Sequence, residues 1–179
     1  MRPNVPQPSP ERMVPIPGHP LVVGIKPGQP DLVALSAAAW ARALGGVDLY
    51  FAYADPARIL EEELPGGYVR HAPLNPDIED DAWRDRVASI NAFLARTLGE
   101  RDVNWHFRYL AGRADRALTH LARTVDASAF VIGAKEPVGD ERLHDFFASS
   151  IGLHLARHQH RPVLLVPLRV VDWKAPTPW

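Results

Sequence analysis

One stretch, residues 130–167, constrains the fold more than any other part of this sequence. It opens with an apolar run, FVI, which has the composition of a buried strand and ends at Gly133. A polar loop follows, and then a helical pattern that stops before Arg161, with apolar residues one turn apart at Phe147, Ile151 and Leu155. A second apolar run, residues 163–166, closes the unit.

The order strand, helix, strand predicts two parallel strands joined by a right-handed crossover. Ligands of such sheets bind in the crevice beyond the carboxyl ends of the strands. The unit therefore places a candidate site at the loop that begins at Gly133.

Further segments predict the rest of a parallel sheet. Residues 21–25, LVVGI, do not alternate, which is typical of a strand buried on both faces. Residues 103–110, VNWHFRYL, alternate, which indicates a strand near a sheet edge with its aromatic face in the core. Five strands are predicted, at residues 21–25, 47–54, 103–110, 130–132 and 163–166, with helices at residues 33–44, 77–98 and 115–125 besides the last one.

Two local predictions complete the assignment. Asp31 is expected to cap the helix over residues 33–44, because its carboxylate can accept a hydrogen bond from a first-turn N–H. A short helix is expected over residues 57–64 and irregular structure over residues 68–76. Alternating strands and helices together predict an α/β fold, a doubly wound five-stranded parallel sheet with helices on both faces.

Composition narrows the classes of function. The 179 residues predict one domain at residues 19–168, between a proline-rich arm at residues 1–18 and a tail at residues 169–179. A net charge of −1 without a basic block argues against nucleic acid as a partner. The absence of cysteine excludes thiol catalysis and fits a cytoplasmic protein. No apolar run reaches the length of a membrane span, so no membrane partner is expected.

Four segments in this order resemble the universal stress protein family. LVVGIKPG is similar to the opening strand and loop of that family, and AGRADRALTHLARTVDASAFVIGAK resembles its central pattern. SSIGLHLARHQHRPVLLVP resembles its closing helix and strand, and the long helix before WHFRYL occupies the position of its second main helix. The resemblance covers residues 20–168. It implies strand order 3-2-1-4-5 and a homodimer formed through the last strand.

The resemblance also implies ATP as the cofactor of those members that bind a nucleotide. Their phosphate loop reads Gly, two residues, Gly, nine residues, Gly, then Ser or Thr, which lets backbone N–H groups approach the phosphates. In this chain Glu136 takes the place of the second glycine and Lys26 takes the place of an acidic residue after the first strand. Gly139 restores the second half of the spacing. The implied binding residues are Ile25, Lys26, Gly112, Gly133, Lys135, Gly139, Ser149, Ser150 and Ile151.

These departures favour a non-catalytic, dimeric stress-response protein in which nucleotide binding is weakened or lost. One alternative is a protein that still binds ATP through the loop from Gly133 to Ser150. The other is an enzyme of a related adenine-nucleotide-binding fold, for which the sequence has no recognisable catalytic motif. His154 and His158 have the spacing of a metal-chelating pair, but the helix supplies no carboxylate or cysteine, so no metal site is predicted.

Overall fold

The computed structural model describes residues 9–77, 82–134 and 151–168. Five strands form one sheet in the order β5-β2-β1-β6-β7, and two form a separate hairpin, β3-β4. The strands are β1 Leu21–Gly24, β2 Leu49–Asp55, β3 Arg58–Leu64, β4 Tyr68–Pro73, β5 Trp105–Ala111, β6 Ala129–Gly133 and β7 Val163–Val166. The helices are α1 Leu32–Ala43, α2 Ala82–Leu98, α3 Ala114–Thr124 and α4 Ile151–His158, with 3-10 turns at Pro10–Arg12 and Pro65–Gly67.

All neighbours in the main sheet are parallel, which confirms the predicted fold class. Because the hairpin strands lie outside the sheet, its order corresponds to the expected 3-2-1-4-5. The central strand β1 is buried on both faces, and Val22 and Val23 are completely inaccessible. The edge position expected for β5 is also confirmed, and Trp105 and Phe107 pack against the core from it.

Two layers of helix cover the two faces of the sheet. The α1 and α2 helices pack on one face, where Ala37, Ala38 and Ala41 bring α1 close to the strands. The α3 and α4 helices pack on the other face, around Phe130 and Leu155. Chain connections therefore leave β1 and β6 in opposite directions, and a crevice opens between the carboxyl ends of these two strands. No helix among the described residues is long and apolar enough to cross a membrane.

The structure corrects the assignment of residues 57–76. The predicted helix over residues 57–64 is wrong, since this segment is strand β3, and the segment predicted to be irregular contains strand β4. The two strands pair antiparallel across the turn Pro65–Gly67. Leu and Glu favour a helix intrinsically, but pairing with β4 provides hydrogen bonds that an isolated short helix does not have. The Pro-Gly-Gly sequence between the two strands is a turn signal that the sequence analysis did not interpret as a hairpin.

The prediction that Asp31 caps α1 is also wrong. Asp31 does occupy the N-cap position, but its side chain makes no capping hydrogen bond. Its backbone has helical dihedral angles, φ −65° and ψ −16°. A capping side chain needs an extended backbone to reach back to the first-turn N–H groups. The predicted start of α2 at Asp77 precedes residues 78–81, which lie outside the described residues.

The hairpin turn is held against the edge of the sheet and against α3. The buried guanidinium of Arg108, on β5, donates from Nε to the carbonyl of Gly66 at 2.7 Å and lies 3.8 Å from the centre of the Tyr68 ring. Gly67 has φ +78° and is so close to α3 that an added Cβ would lie 2.3 Å from Leu121 Cδ1. The turn is therefore specified by both backbone conformation and space.

Comparing Gly66→Ala with Gly67→Ala tests this packing. Both glycines have positive φ, so each alanine should cost about 1 kcal/mol of backbone strain. Only the methyl group at Gly67 would overlap a neighbouring side chain, that of Leu121, so Gly67→Ala should cost about 1–3 kcal/mol more. Urea unfolding measures both free energies. Equal destabilisation by the two variants would contradict the close packing of the turn on α3.

Candidate functional site

A crevice of about 540 Å³ opens at the carboxyl ends of β1 and β6, where the chain connections diverge. Its volume is within the usual range for small-molecule sites. The walls come from the ends of β1, β2 and β6, the turn after β5, and the first turns of α3 and α4. The lining residues are Gly24, Ile25, Lys26, Gln29, Ala52, Tyr53, Ala54, Pro56, Gly112, Arg113, Ala114, Asp115, Leu118, Ile132, Gly133, Ile151, His154 and Leu168.

Gln29 lines this crevice and has a hydrogen-bond donor that is not used. Its Oε1 accepts the backbone N–H of Lys26 at 3.0 Å, which determines the orientation of the amide. The amide nitrogen Nε2 is buried and has no hydrogen-bond partner among the described residues. A buried donor without a partner costs about 1–3 kcal/mol. A ligand that offers an acceptor at this position would recover that free energy.

Two glycines keep the crevice open. An added Cβ at Gly133 would lie 3.1 Å from Gln29 Nε2, 2.9 Å from Leu168 Cδ2 and 3.2 Å from Val33 Cγ2. An added Cβ at Gly24 would lie 2.8 Å from Ile132 Cδ1. A side chain at either position would therefore push the lining inward. Gly133, which the sequence singled out, borders Gln29 directly.

The turn after β5 contributes the charged wall of the crevice. Gly112 has φ +83° and its N–H donates to the carbonyl of Asp55 at 2.8 Å, which joins the ends of β2 and β5. At the start of α3, Arg113 binds the carboxylate of Asp115 with two hydrogen bonds, at 2.8 and 3.2 Å. Burial alone would raise the pKa of Asp115, but the hydrogen bond and charge of Arg113 and a backbone N–H lower it.

Behind this wall, the carboxylate of Asp55 is 3% exposed and fully engaged. Its Oδ2 accepts from Tyr109 at 2.5 Å and from Arg86 at 2.8 Å, and its Oδ1 accepts the N–H of Ala57 at 2.9 Å. Burial opposes ionisation, but these donors and the Arg86 charge outweigh it and lower the pKa of Asp55. Burial and the same hydrogen bond raise the pKa of Tyr109.

His71 extends this cluster into the hairpin. Its Nδ1 accepts a hydrogen bond from the buried Arg58 at 2.6 Å, and its ring packs edge-on against Trp83 of α2 at 4.9 Å. Burial first, and then the positive charge of Arg58, lower the pKa of His71. The cluster therefore joins β2, β5, α2 and the base of the hairpin, next to the crevice.

The structure brings five of the nine predicted binding residues to one crevice. They are Ile25, Lys26, Gly112, Gly133 and Ile151. The other four, Lys135, Gly139, Ser149 and Ser150, lie outside the described residues. The sequence analysis did not assign four polar lining residues to this crevice: Gln29, Arg113, Asp115 and His154. The turn KPGQ after β1 was the one available signal for Gln29, since its position follows the first strand end directly.

The histidine pair is present as expected from its spacing. The rings of His154 and His158 lie 5.8 Å apart on α4, and His154 faces the crevice. No group of three metal-ligating side chains occurs within the described part of the chain. On β5, His106 contacts Asp48 at 3.2 Å.

Several solved universal stress proteins share this architecture. One from Archaeoglobus fulgidus is 19% identical, with a TM-score of 0.59 over 82% of this chain and 97% of its own. This chain has the universal stress protein fold. A universal stress protein solved in complex with cAMP is also 19% identical, with a TM-score of 0.55 over 86% and 99% of the two chains.

A third universal stress protein structure, from Archaeoglobus fulgidus in complex with dAMP, is 18% identical, with a TM-score of 0.54 over 86% and 98% of the two chains. Neither the scan against protein-family models nor the search of curated proteins found a match. At these identities the likeness establishes the universal stress protein fold, and function has to be argued from the site itself.

Asp55→Asn tests the support of the crevice wall. Because folding lowers the pKa of Asp55, its contribution to stability is complete above the ordinary aspartate pKa of about 3.9 and is lost as pH falls through the lower folded value. The variant should lose about 1–3 kcal/mol at neutral pH and show a shallower loss of stability below about pH 4.

Urea unfolding at a series of pH values measures this difference. The matched control is Asp31→Asn, which changes an exposed carboxylate that makes no capping hydrogen bond. An acid slope for Asp55→Asn equal to that of the unmodified protein would show that Asp55 is not a stabilising buried anion.

Proposed function

We propose that this protein is a universal stress protein-like module that binds an adenine nucleotide in the crevice at the ends of β1 and β6. The observation that carries the proposal is that Gln29 lines this crevice and that its buried Nε2 has no hydrogen-bond partner among the described residues. Buried donors in native proteins are nearly always hydrogen-bonded, so an unpaired one calls for a partner such as a ligand or an ordered water.

The lining suits a purine base beside a phosphorylated sugar. Apolar side chains, such as Ile25, Leu118 and Ile132, offer a flat base the contacts that it needs. A purine ring carries nitrogen acceptors that match the Gln29 donor. Two proteins of the same fold were solved with cAMP and with dAMP, both adenine nucleotides. The changes in the glycine motif weigh against tight ATP binding, while the open crevice favours retention of a nucleotide.

We further propose that the protein acts by binding and without turnover. Among the described lining residues the single carboxylate, Asp115, is already paired with Arg113 and is not placed as a free general base. Incubation with Mg-ATP or with a nucleotide and a second substrate should release no product. Steady release of ADP or AMP that depends on crevice residues would favour the enzyme alternative.

Nucleotide binding is tested by acid extraction of the purified protein, followed by calorimetric titration with AMP, cAMP and ATP. Gln29→Glu is the informative variant, because its carboxylate can still accept the Lys26 N–H but has no donor for the base. We expect it to weaken AMP binding at least tenfold, which corresponds to about 1.4 kcal/mol. Gly133→Ala should do the same by crowding the crevice.

The control for folding is thermal unfolding of both variants without ligand, which should remain cooperative. No extracted nucleotide and no heat with any of the three ligands would reject nucleotide binding. Unchanged AMP affinity in Gln29→Glu would reject the role of the Gln29 donor.

We also propose a homodimer that forms through β7. This strand lies at one edge of the main sheet and exposes Leu165, which is 50% accessible. An apolar edge strand without a partner is prone to pairing with another chain. A second copy of the same strand would satisfy its free backbone groups.

Leu165→Lys should convert the dimer to a monomer, because the charge would have to be buried in the interface. Light scattering coupled to gel filtration measures the mass. Leu60→Lys is the matched control, since Leu60 is similarly exposed, at 47%, but lies on β3, beside β5 at the opposite edge of the sheet. A monomeric unmodified protein, or a dimer unaffected by Leu165→Lys, would contradict this interface.

A further inference from the structure

A second cavity, of about 520 Å³, lies between α3 and α4 and is lined mainly by arginine and histidine side chains. We call it the cationic cleft. Six of its lining residues are basic: Arg113, Arg116, His120 and Arg123 from α3, and His154 and His158 from α4. The whole chain has a net charge of −1, so this grouping is a local feature and not a consequence of a basic composition.

The spacing of these residues places them on facing stripes. Along α3 they recur at intervals of three and four residues, which puts them on one side of the helix. On α4 the two histidines are four residues apart, with ring centres separated by 5.8 Å. Because α3 and α4 are packed side by side, both stripes border the same cleft.

Counter-charge within the cleft is scarce. The one carboxylate in its lining, Asp115, is bound by Arg113, and His120 meets Glu63 at 3.1 Å. Within the described part of the chain, Arg116 and Arg123 form no ion pair and no side-chain hydrogen bond. Arg113 and Arg116 are one helical turn apart, and like charges at that spacing repel each other and weaken the folded state. An anion bound in the cleft would remove this repulsion.

The cationic cleft is continuous with the crevice. Arg113, Asp115 and His154 line both cavities. The side chains of Arg116 and Arg123 start about 10 Å apart along the helix axis, since each residue adds about 1.5 Å. A chain of phosphates that leaves the crevice beside Arg113 can follow this row along the helix. Guanidinium groups bind phosphate oxygens through paired hydrogen bonds.

We propose that the cationic cleft binds an oligophosphate chain, namely the polyphosphate of a nucleotide whose base occupies the crevice. In this arrangement the phosphates run along α3. The sequence between Gly133 and α4 carries four acidic residues, which repel phosphate: Glu136, Asp140, Glu141 and Asp145. The assignment of the chain to a nucleotide rests on the proposed function, whereas the charge of the cleft does not. Free inorganic oligophosphate has the same recognisable chemistry.

The test compares AMP, ATP and inorganic tripolyphosphate by calorimetry with the full chain, at about 0.15 M salt so that non-specific attraction is screened. The variant is Arg116→Gln/Arg123→Gln, in which both changed side chains are exposed. Arg42→Gln is the control, because it removes one positive charge from an exposed site on α1, on the opposite face of the sheet.

We expect ATP to bind the unmodified protein more tightly than AMP, and the double variant to lose at least tenfold in ATP affinity while AMP affinity stays within twofold. Arg42→Gln should leave both affinities unchanged. Tripolyphosphate should compete with ATP, and its own binding should fall in the same double variant.

The remaining outcomes separate this proposal from the proposed function. If AMP and ATP bind but the double variant binds ATP normally, the cleft proposal is overturned and nucleotide binding stands. If tripolyphosphate alone binds and the double variant loses it, the cleft stands with a free oligophosphate as ligand, and nucleotide binding fails. If tripolyphosphate binding is equally affected by Arg42→Gln, the interaction is non-specific and the cleft proposal is overturned. If nothing binds, both are rejected.

Discussion

The carboxylate of Asp55 is the interaction on which the arrangement of the elements around the crevice depends. A nearly inaccessible anion is tolerated only when its oxygens are fully hydrogen-bonded. Its partners come from β5, from α2 and from the start of the hairpin, so satisfying one charge determines where three elements meet β2. The backbone of the same residue accepts the Gly112 N–H. The crevice wall is therefore built on a rigid support.

Gln29 is in the opposite situation to Asp55. Both residues sit near the carboxyl ends of the central strands, but the Asp55 network is complete, whereas the Gln29 amide retains a buried donor without a partner among the described residues. A complete network stabilises the folded protein, and an incomplete one stores free energy that a ligand can recover. This contrast separates a supporting residue from one that is proposed to bind a ligand, although both are polar.

The charged side chains are also unevenly distributed over the protein. The chain is close to neutral, yet α3 and α4 concentrate their basic side chains along one shared cleft that opens into the crevice. Sites where local interactions destabilise the folded protein are often functional. Apolar lining, a directed donor and an adjoining row of cations together match a ligand with a flat base at one end and phosphates at the other.

The amino-acid sequence by itself determined the doubly wound sheet, because apolar runs, glycine stops and helical periodicity are local signals that agree with one another over residues 20–168. It also located Gly133, Ile25 and Gly112 at strand ends, and parallel strands bring such ends to one edge of the sheet. The sequence alone did not predict the hairpin, because β3 is stabilised by pairing with β4 and not by its own strand propensity. Only the tertiary structure decided that Gln29 is buried without a partner and that two helices share a cationic cleft, because burial and charge proximity depend on residues distant in the chain.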